Sequence, residues 1–361
     1  MARAEHLLSY AQTLRGGGVE RALLRLAGGW VAAGRRVTLV IGRAEGPLAA
    51  ELPAGVEVVE LGSAGYATLA RALPGAVRGR QADAIFCPGS HYTAAAAWTR
   101  VRLGQGCPPI VGKVSNAVAR GDHGAVSGAL HRGWLRAHPR FLDRLVAMTP
   151  ASAAVVAEAM GLAREAVAVI PNPPAVPIPG AVLPDLPERF VLGVGRLVLQ
   201  KRWDRAVAAL PRLANRAVPL VLLGDGPERA ALAVQAAALG VGERLVMPGY
   251  AADPLAAMAR AEVVVLTSDF EGVPGVLREA LSVGTPVVAT DSSPAVEEIV
   301  SGPELGTVVG REDEAGLVAA LDRWLAGDAV RPAPVTPPGA DAAARYLAVF
   351  DGLVEPPSPR A

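Results

Sequence analysis

Val263-Val264-Val265-Leu266-Thr267-Ser268-Asp269-Phe270-Glu271-Gly272-Val273-Pro274-Gly275-Val276-Leu277-Arg278-Glu279-Ala280-Leu281-Ser282-Val283-Gly284-Thr285-Pro286-Val287-Val288 is the stretch that decides the fold. An apolar run at 262–267 has strand length and β-branched composition. Gly272 and Pro274 break it, and a helical pattern follows over 275–283. Gly284 stands where a left-handed C′ residue ends a helix. A second apolar run follows at 286–289. Strand, helix and strand in this order make a βαβ unit, whose strands lie parallel.

The same alternation extends in both directions. Upstream in the second half, strands are expected at 190–194, 218–223 and 244–247, with helices at 203–213, 226–239 and 253–259. Further helices are expected at 294–300 and 313–325. The first half reads alike, with strands at 6–10, 37–41, 56–60, 84–87, 110–114, 144–148 and 167–170. Helices at 18–33, 66–78, 92–103, 126–138 and 151–160 fill much of the space between. Between the halves, residues 171–187 hold seven prolines, which lack the N–H that helices and sheets need. The fold class expected is therefore α/β, with two Rossmann-like doubly wound domains facing a central cleft. The domains expected are 1–172, a Pro-rich linker at 173–188, and 189–330. Residues 331–361 then form a Pro-rich tail and a final helix, expected at 340–354 and packing back on the N-terminal domain.

Composition narrows the function classes. The chain of 361 residues is half hydrophobic, enough for two cores. No apolar run reaches the length of a transmembrane helix, and the apolar start is too short for a signal peptide. Two cysteines, Cys87 and Cys107, make no disulfide framework and suit a reducing cytoplasm. No metal-ligand cluster and no Asp-x-Asp pair occurs, so no metal and no cofactor are expected. No nucleic-acid partner is expected either, at a net charge of +1. That charge is unevenly spread. Residues 1–175 hold 19 basic and 11 acidic side chains, and residues 176–361 hold 16 and 23. The basic segment around Trp134, with Arg132, Arg136 and Arg140, has the composition of a helix lying on an anionic membrane.

Three segments carry candidate chemistry. In the opening stretch, a helix starts at a strand's carboxyl end, where free N–H groups and the helix dipole suit a phosphate. Glu271 precedes that helix and Glu279 lies inside it, so the two carboxylates can reach different parts of one elongated ligand. In Gly193-Val194-Gly195-Arg196-Leu197-Val198-Leu199-Gln200-Lys201, a strand ends in glycines and puts Arg196 and Lys201 in the following loop. Arg grips oxyanions in a fork and Lys acts as a point charge. Lys201 is one of two lysines among 35 basic residues, so its presence marks a chemical requirement. Third, Gly16-Gly17-Gly18 after the first strand lets backbone N–H groups approach a phosphate closely.

Together these segments resemble glycosyltransferase family 4, retaining enzymes of the GT-B fold. The residues that carry the resemblance span most of the chain. They are Gly17-Gly18-Val19-Glu20-Arg21, Val169-Ile170-Pro171-Asn172-Pro173, Gly195-Arg196-Leu197 with Lys201, Leu222-Leu223-Gly224-Asp225-Gly226-Pro227, and the Glu-x7-Glu element of Glu271 and Glu279. The resemblance implies that Glu271, Arg196 and Lys201 are the catalytic group, with Glu271 on the donor sugar and the two cations on the diphosphate. It implies that Glu279 holds the ribose and Tyr250 the base. The N–H groups at Gly275, Val276 and Leu277 would hold the phosphate, with Gly17 and Gly18 closing on it from the N-terminal, acceptor-side domain.

The sequence departs from the family at two places. Gly275 stands where many members have Asn. The strand 110–114 runs into Ser115-Asn116 where many have a catalytic His, so Asn116 and the nearby His123 are the acceptor-side candidates. The activity implied is metal-independent, retaining transfer of a sugar, UDP-linked by preference, to a glycan, a lipid-linked or a small-molecule acceptor. The expected setting is the cytoplasm, with peripheral contact at the inner face of an anionic membrane. A nucleotide-sugar epimerase of the same fold and a non-catalytic nucleotide-sugar-binding protein are the alternatives.

Overall fold

The computed structural model describes residues 3–118, 125–178, 180 and 183–354. The chain forms two compact units. One comprises Met1–Pro173 with Pro338–Ala361, and the other Pro174–Pro337. The division thus falls at the start of the proline-rich stretch, and the chain's end belongs with its beginning.

The first unit contains β1 (His6–Thr13), α1 (Gly18–Ala32), β2 (Arg36–Arg43), β3 (Val56–Glu60), α2 (Tyr66–Arg80), β4 (Ala84–Cys87) and α3 (Thr93–Leu103). It continues with β5 (Ile110–Lys113), α4 (Ala125–Ala137), β6 (Arg144–Ala147), α5 (Pro150–Met160) and β7 (Val167–Val169). Its seven strands are ordered β3-β2-β1-β4-β5-β6-β7 and pair in parallel throughout. Strand order reverses between β1 and β4, where Leu8 pairs with Ile85. Alternation along β1 sends Leu8 and Tyr10 to one face and Leu7 and Ala11 to the other. The first face is covered by α2, α3, α4 and α5 through residues such as Leu69, Ala95, Leu135 and Val156.

The second unit contains β8 (Val191–Val194), α6 (Trp203–Ala209), β9 (Leu220–Leu223), α7 (Arg229–Ala238), β10 (Leu245–Gly249) and α8 (Leu255–Arg260). It continues with β11 (Val263–Leu266), α9 (Gly275–Ser282), β12 (Val287–Thr290), α10 (Pro294–Ile299), β13 (Gly306–Val309) and α11 (Glu314–Leu325). Its six parallel strands run β10-β9-β8-β11-β12-β13, so the order reverses between β8 and β11. Its sheet packs α6, α7 and α11 on one face and α8, α9 and α10 on the other. The sequence reading has no strand at 306–309. Gly306 and Thr307 read as loop, and the strand is held from one side only, by β12. Gly306 is there because its carbon lies against Val287, whose carbonyl oxygen would sit 2.2 Å from any added Cβ. Helix 203–213 is also shorter than its pattern, since α6 gives way to a tighter turn at Leu210–Arg212 containing Pro211.

The remaining helix, α12 (Ala342–Val354), returns to the first unit. With α1 it covers the second face of that sheet. Trp30 of α1 meets Tyr346 and Phe350 of α12 edge to face, with centroids 6.2 and 5.4 Å apart. Phe86 of β4 joins the same cluster at 5.3 Å from Trp30.

Candidate active site

In an open parallel sheet, ligands bind outside the carboxyl ends of the strands where the order reverses. In the second unit those ends are the loops after β8 and β11. The two loops are stitched together. Asp269 N–H donates to Gln200 O at 3.0 Å, Gln200 Nε2 to Phe270 O at 2.8 Å, and Thr267 Oγ1 to Lys201 O at 2.9 Å. Beneath them, the Gly224–Gly226 loop after β9 supports the β8 loop. A Cβ on Gly224 would lie 1.9 Å from Gly195 O, and one on Gly226 2.2 Å from Leu197 O. Only glycine permits that approach, which explains the Gly-Asp-Gly-Pro order.

This stitching brings Lys201 and Glu271 together, 70 residues apart in sequence. Lys201 Nζ donates to Glu271 Oε1 at 2.6 Å, with side-chain exposures of 17% and 11%. Ser268 Oγ, fully buried, donates to the same oxygen at 2.6 Å. Glu271 N–H donates to Ser292 O at 2.9 Å. The carboxylate is therefore held from both sides, with its direction fixed. Ser292 and Ser293, in the loop after β12, are buried, and their hydroxyls have no hydrogen-bond partner among the described residues.

The chain reaches this arrangement through a strained residue. Arg202 follows Lys201 at φ +47°, a left-handed conformation unusual for a side-chain-bearing residue. Its guanidinium forks onto Asp204 at 2.9–3.2 Å and reaches Asp269 at 3.2 Å. These bonds raise its pKa. Arg205 ties the same Asp269 at 2.7 Å and donates to Thr267 O at 3.1 Å. The strain at Arg202 is thus over-determined by ion pairs around it.

The other expected residues of this unit are placed as follows. Arg196 is exposed, and its guanidinium has no partner among the described residues, while its carbonyl accepts Trp203 Nε1–H at 3.0 Å. Gly275 opens α9, exposed, with nothing within 4 Å of where a Cβ would be, and no side chain caps the helix. Val276 and Glu279 are half-buried, and Leu277 is core, its N–H directed to Pro274 O at 3.2 Å. Tyr250 is 42% exposed, just past β10 at the edge of the sheet. The geometry joins Lys201, Glu271 and the loop opening α9. It places Tyr250 two strands away from β8.

In the first unit, Gly16 and Gly17 take φ +115° and +153°. A Cβ on Gly17 would lie 2.6 Å from Glu20 Oε2. Glu20, three residues into α1, thus folds its carboxylate back over the helix start, the position a capping glutamate takes. The other oxygen of Glu20 accepts the Tyr92 hydroxyl at 2.8 Å. Gly18 is open, with nothing within 4 Å. Asn116 turns its Oδ1 to its neighbour, Ala117 N–H, at 2.9 Å. His123 lies outside the described residues.

Sequence reasoning missed Ser268, Gln200 and Ser292, whose parts depend on loop-to-loop contacts.

Comparison with known proteins supplies the family. The model for Glycosyltransferase Family 4 matches residues 16–173, and that for Glycosyl transferases group 1 matches residues 179–333. The chain is 31% identical over 148 residues to N-acetylgalactosamine-N,N'-diacetylbacillosaminyl-diphospho-undecaprenol 4-alpha-N-acetylgalactosaminyltransferase of Campylobacter jejuni, covering 41% of this chain and 40% of that one. It is 36% identical over 158 residues to GDP-mannose-dependent alpha-(1-6)-phosphatidylinositol monomannoside mannosyltransferase of Mycolicibacterium smegmatis, covering 38% and 41%. The chain thus spans about two fifths of the length of these curated relatives. Over whole chains, the fold matches the crystal structure of Anabaena HepE in complex with UDP and glucose, with a TM-score of 0.72 at 20% identity, covering 97% of this chain and 98% of that one. With one family model on each half and the doubly wound sheet repeated in both units, the chain belongs to the family 4 glycosyltransferases of the GT-B fold.

Proposed function

We propose that the protein moves a sugar, with retention and without a metal, from a nucleoside-diphosphate sugar to a glycan, lipid-linked or small-molecule acceptor. The observation that carries this reading is the Lys201–Glu271–Ser268 cluster at the reversal point of the second sheet, beside the uncapped start of α9. Charge builds on the diphosphate as the bond to the sugar carbon breaks, and fixed donors there lower the barrier. Arg196, Lys201 and the N–H groups opening α9 are the donors proposed. Glu271, its direction set, takes a sugar hydroxyl, Glu279 the ribose and Tyr250 the base. Gly17 and Gly18 are proposed as the first unit's contacts to the donor. The acceptor oxygen bonds the sugar carbon on the face the phosphate leaves, and its proton passes to the departing phosphate oxygen.

UDP is the nucleotide favoured. HepE was solved with UDP and with UDP-glucose, whereas the mycobacterial relative is named for GDP-mannose. Thermal melts in EDTA with UDP and with GDP test both points. Ligand at about a hundredfold over Kd adds about 2.7 kcal/mol, a rise of several degrees. The rise is expected with UDP, in the presence of chelator. A protein that responds to neither nucleotide, or only once magnesium is added, defeats this account.

We also propose that the first unit meets an anionic membrane at the cytoplasmic face. On α4, Leu130 and Trp134 are 73% and 37% exposed beside exposed Arg132, Arg136 and Arg140. On α3, Trp98 and Val101 are 41% and 75% exposed, with Arg102 over the Trp98 ring. Among the described residues no helix is long and apolar enough to cross a membrane. Each basic group near an anionic leaflet is worth on the order of 1 kcal/mol. The protein should sediment with anionic vesicles at low salt, and the triple Arg132→Ser, Arg136→Ser, Arg140→Ser variant should not. Equal sedimentation with neutral vesicles would leave this proposal without support.

A further inference from the structure

Among the described residues, Arg202 and Gln81 are the non-glycine residues with left-handed backbone, at φ +47° and +50°. Gln81 ends α2, and helices often end left-handed. Arg202 stands at the other kind of end, as the N-cap of α6, where extended backbone is the rule. The residues before it, Leu199–Lys201, make one tight helical turn. With Arg202 right-handed, that turn and α6 would run together, and Arg205 N–H would bond Lys201 O. Instead Arg205 N–H donates to Arg202 O at 3.0 Å, and Lys201 O accepts the Thr267 hydroxyl at 2.9 Å. The left-handed step thus frees the Lys201 carbonyl for the loop after β11, on which Lys201 Nζ meets Glu271.

Glycine takes this conformation freely, and arginine takes it at a cost. The anchorage of the guanidinium offsets that cost. Nε and Nη2 fork onto Asp204 at 3.0 and 2.9 Å, and Nη1 reaches Asp269 at 3.2 Å. A single exposed ion pair contributes little, but a fork joined to a second carboxylate fixes the side chain. Asp269 is itself held. Buried Arg205 donates to its carboxylate at 2.7 Å, Arg311 donates to its carbonyl at 3.2 Å, and its own N–H bonds Gln200 O at 3.0 Å. Asp269 follows Ser268 and precedes Glu271 by two residues. The carboxylate that holds Arg202 and the one that meets Lys201 therefore come from one short loop.

We propose that Asp204 and Asp269 are positioning residues. By holding the Arg202 guanidinium they keep its backbone left-handed, and so keep Lys201 against Glu271. Their bearing on sugar transfer rests on the donor reading given above, whereas the placement of Lys201 is measured without it.

Two lysines, Lys113 and Lys201, make that placement readable. Lysine labelled with carbon-13 at Cε gives two signals, and Lys201→Arg identifies each. Glu271→Gln supplies the position of a Lys201 signal without its ion pair. Arg202→Ala keeps a Cβ at the left-handed step but removes the anchorage, and should move the Lys201 signal most of the way to that position. Arg202→Gly removes anchorage and strain together, and should leave the signal near its original place. Asp269→Asn should move the signal as Arg202→Ala does, and adding Arg202→Gly should bring it back. Arg205 lacks its charged partner in both of those proteins, so a role of Asp269 confined to stability gives no such recovery. UDP titrations of the same proteins test the donor reading separately. Affinity about tenfold weaker in Arg202→Ala and recovered in Arg202→Gly supports both, since one charge-assisted contact is worth about that factor. Affinity unchanged while the Lys201 signal follows the substitutions upholds the positioning and removes Lys201 from the diphosphate. A Lys201 signal unmoved by Arg202→Ala, or displaced alike by Arg202→Ala and Arg202→Gly, overturns the proposal.

Discussion

Replacing Glu271 with Gln, or Lys201 with Ala, should lower sugar transfer by about 10²–10³-fold while the protein still folds. Glu271→Gln keeps the shape and can still accept the Ser268 hydroxyl, but it loses the charge that orients the cluster. Lys201→Ala removes the proposed cation from the diphosphate and leaves Glu271 with Ser268 as its remaining side-chain partner. Loss of that charge-assisted bond costs about 1–3 kcal/mol of stability, too little to unfold a domain of this size. Initial rates and melting curves on the same preparations separate the two effects. Turnover near that of the unaltered protein in either variant would remove both residues from the catalytic group.

Deleting the chain from residue 338 onward should prevent the first unit from folding, whereas the second unit should keep its own transition. Without α12, Trp30 and Phe86 lose Tyr346 and Phe350, and the second face of the sheet is left to α1 alone. Exposing each large apolar side chain forfeits roughly 1.5–3 kcal/mol, and several together exceed the stability of an ordinary domain. A gentler probe is Asp351→Ala. Asp351 Oδ2 holds Arg35 Nη2 at 2.6 Å, and its Oδ1 accepts Ala4 N–H at 2.9 Å. Arg35 is 5% exposed and would keep Ala4 O at 3.1 Å and the Glu5 carboxylate at 3.8 Å, so losing its shortest ion pair costs about 1.5–3 kcal/mol. Calorimetry should show one transition moved down by several degrees or more and the other unmoved. A melt unchanged by Asp351→Ala would mean that Arg35 is satisfied without it.

Much of the architecture was legible because burial on both faces makes strands of a parallel sheet read as plain apolar runs. Val263–Leu266 and Val287–Thr290 are such runs, and Gly284, at φ +72°, closes the turn between them as its type suggests. β13 was not legible, since a four-residue strand opening on glycine at a sheet's end has too little pattern to read. β1 runs on through Gln12 and Thr13, where pairing of Thr13 with Arg43 outweighs polarity. In the site, Lys201 and Glu271 each stood out in the sequence, but their bond to each other did not, since it depends on two loops meeting. The left-handed Arg202 gave no signal either: its fork partner Asp204 is two residues on, but its second partner Asp269 comes from a different strand's loop. The glycines at 16–18 read as an anion cradle, and the group folded over the helix start is the protein's own Glu20.

The return of α12 has a consequence for how the protein is made. The first unit is discontinuous. Its first segment is made before the second unit, yet Ala4 and Arg35 await Asp351 of α12, made after it. The second unit lies wholly between these pieces and is complete by Pro337. Domains generally fold in order of synthesis, N-terminal first. Here the unit that begins later has all of its residues sooner. Where the chain leaves and re-enters the first unit, Gly339 packs so closely against Asn172 that a Cβ there would lie 2.3 Å from its carbonyl oxygen. The second unit is thus inserted between two segments of the first, and α12, made after it, supplies the cover that the first unit's sheet lacks until then.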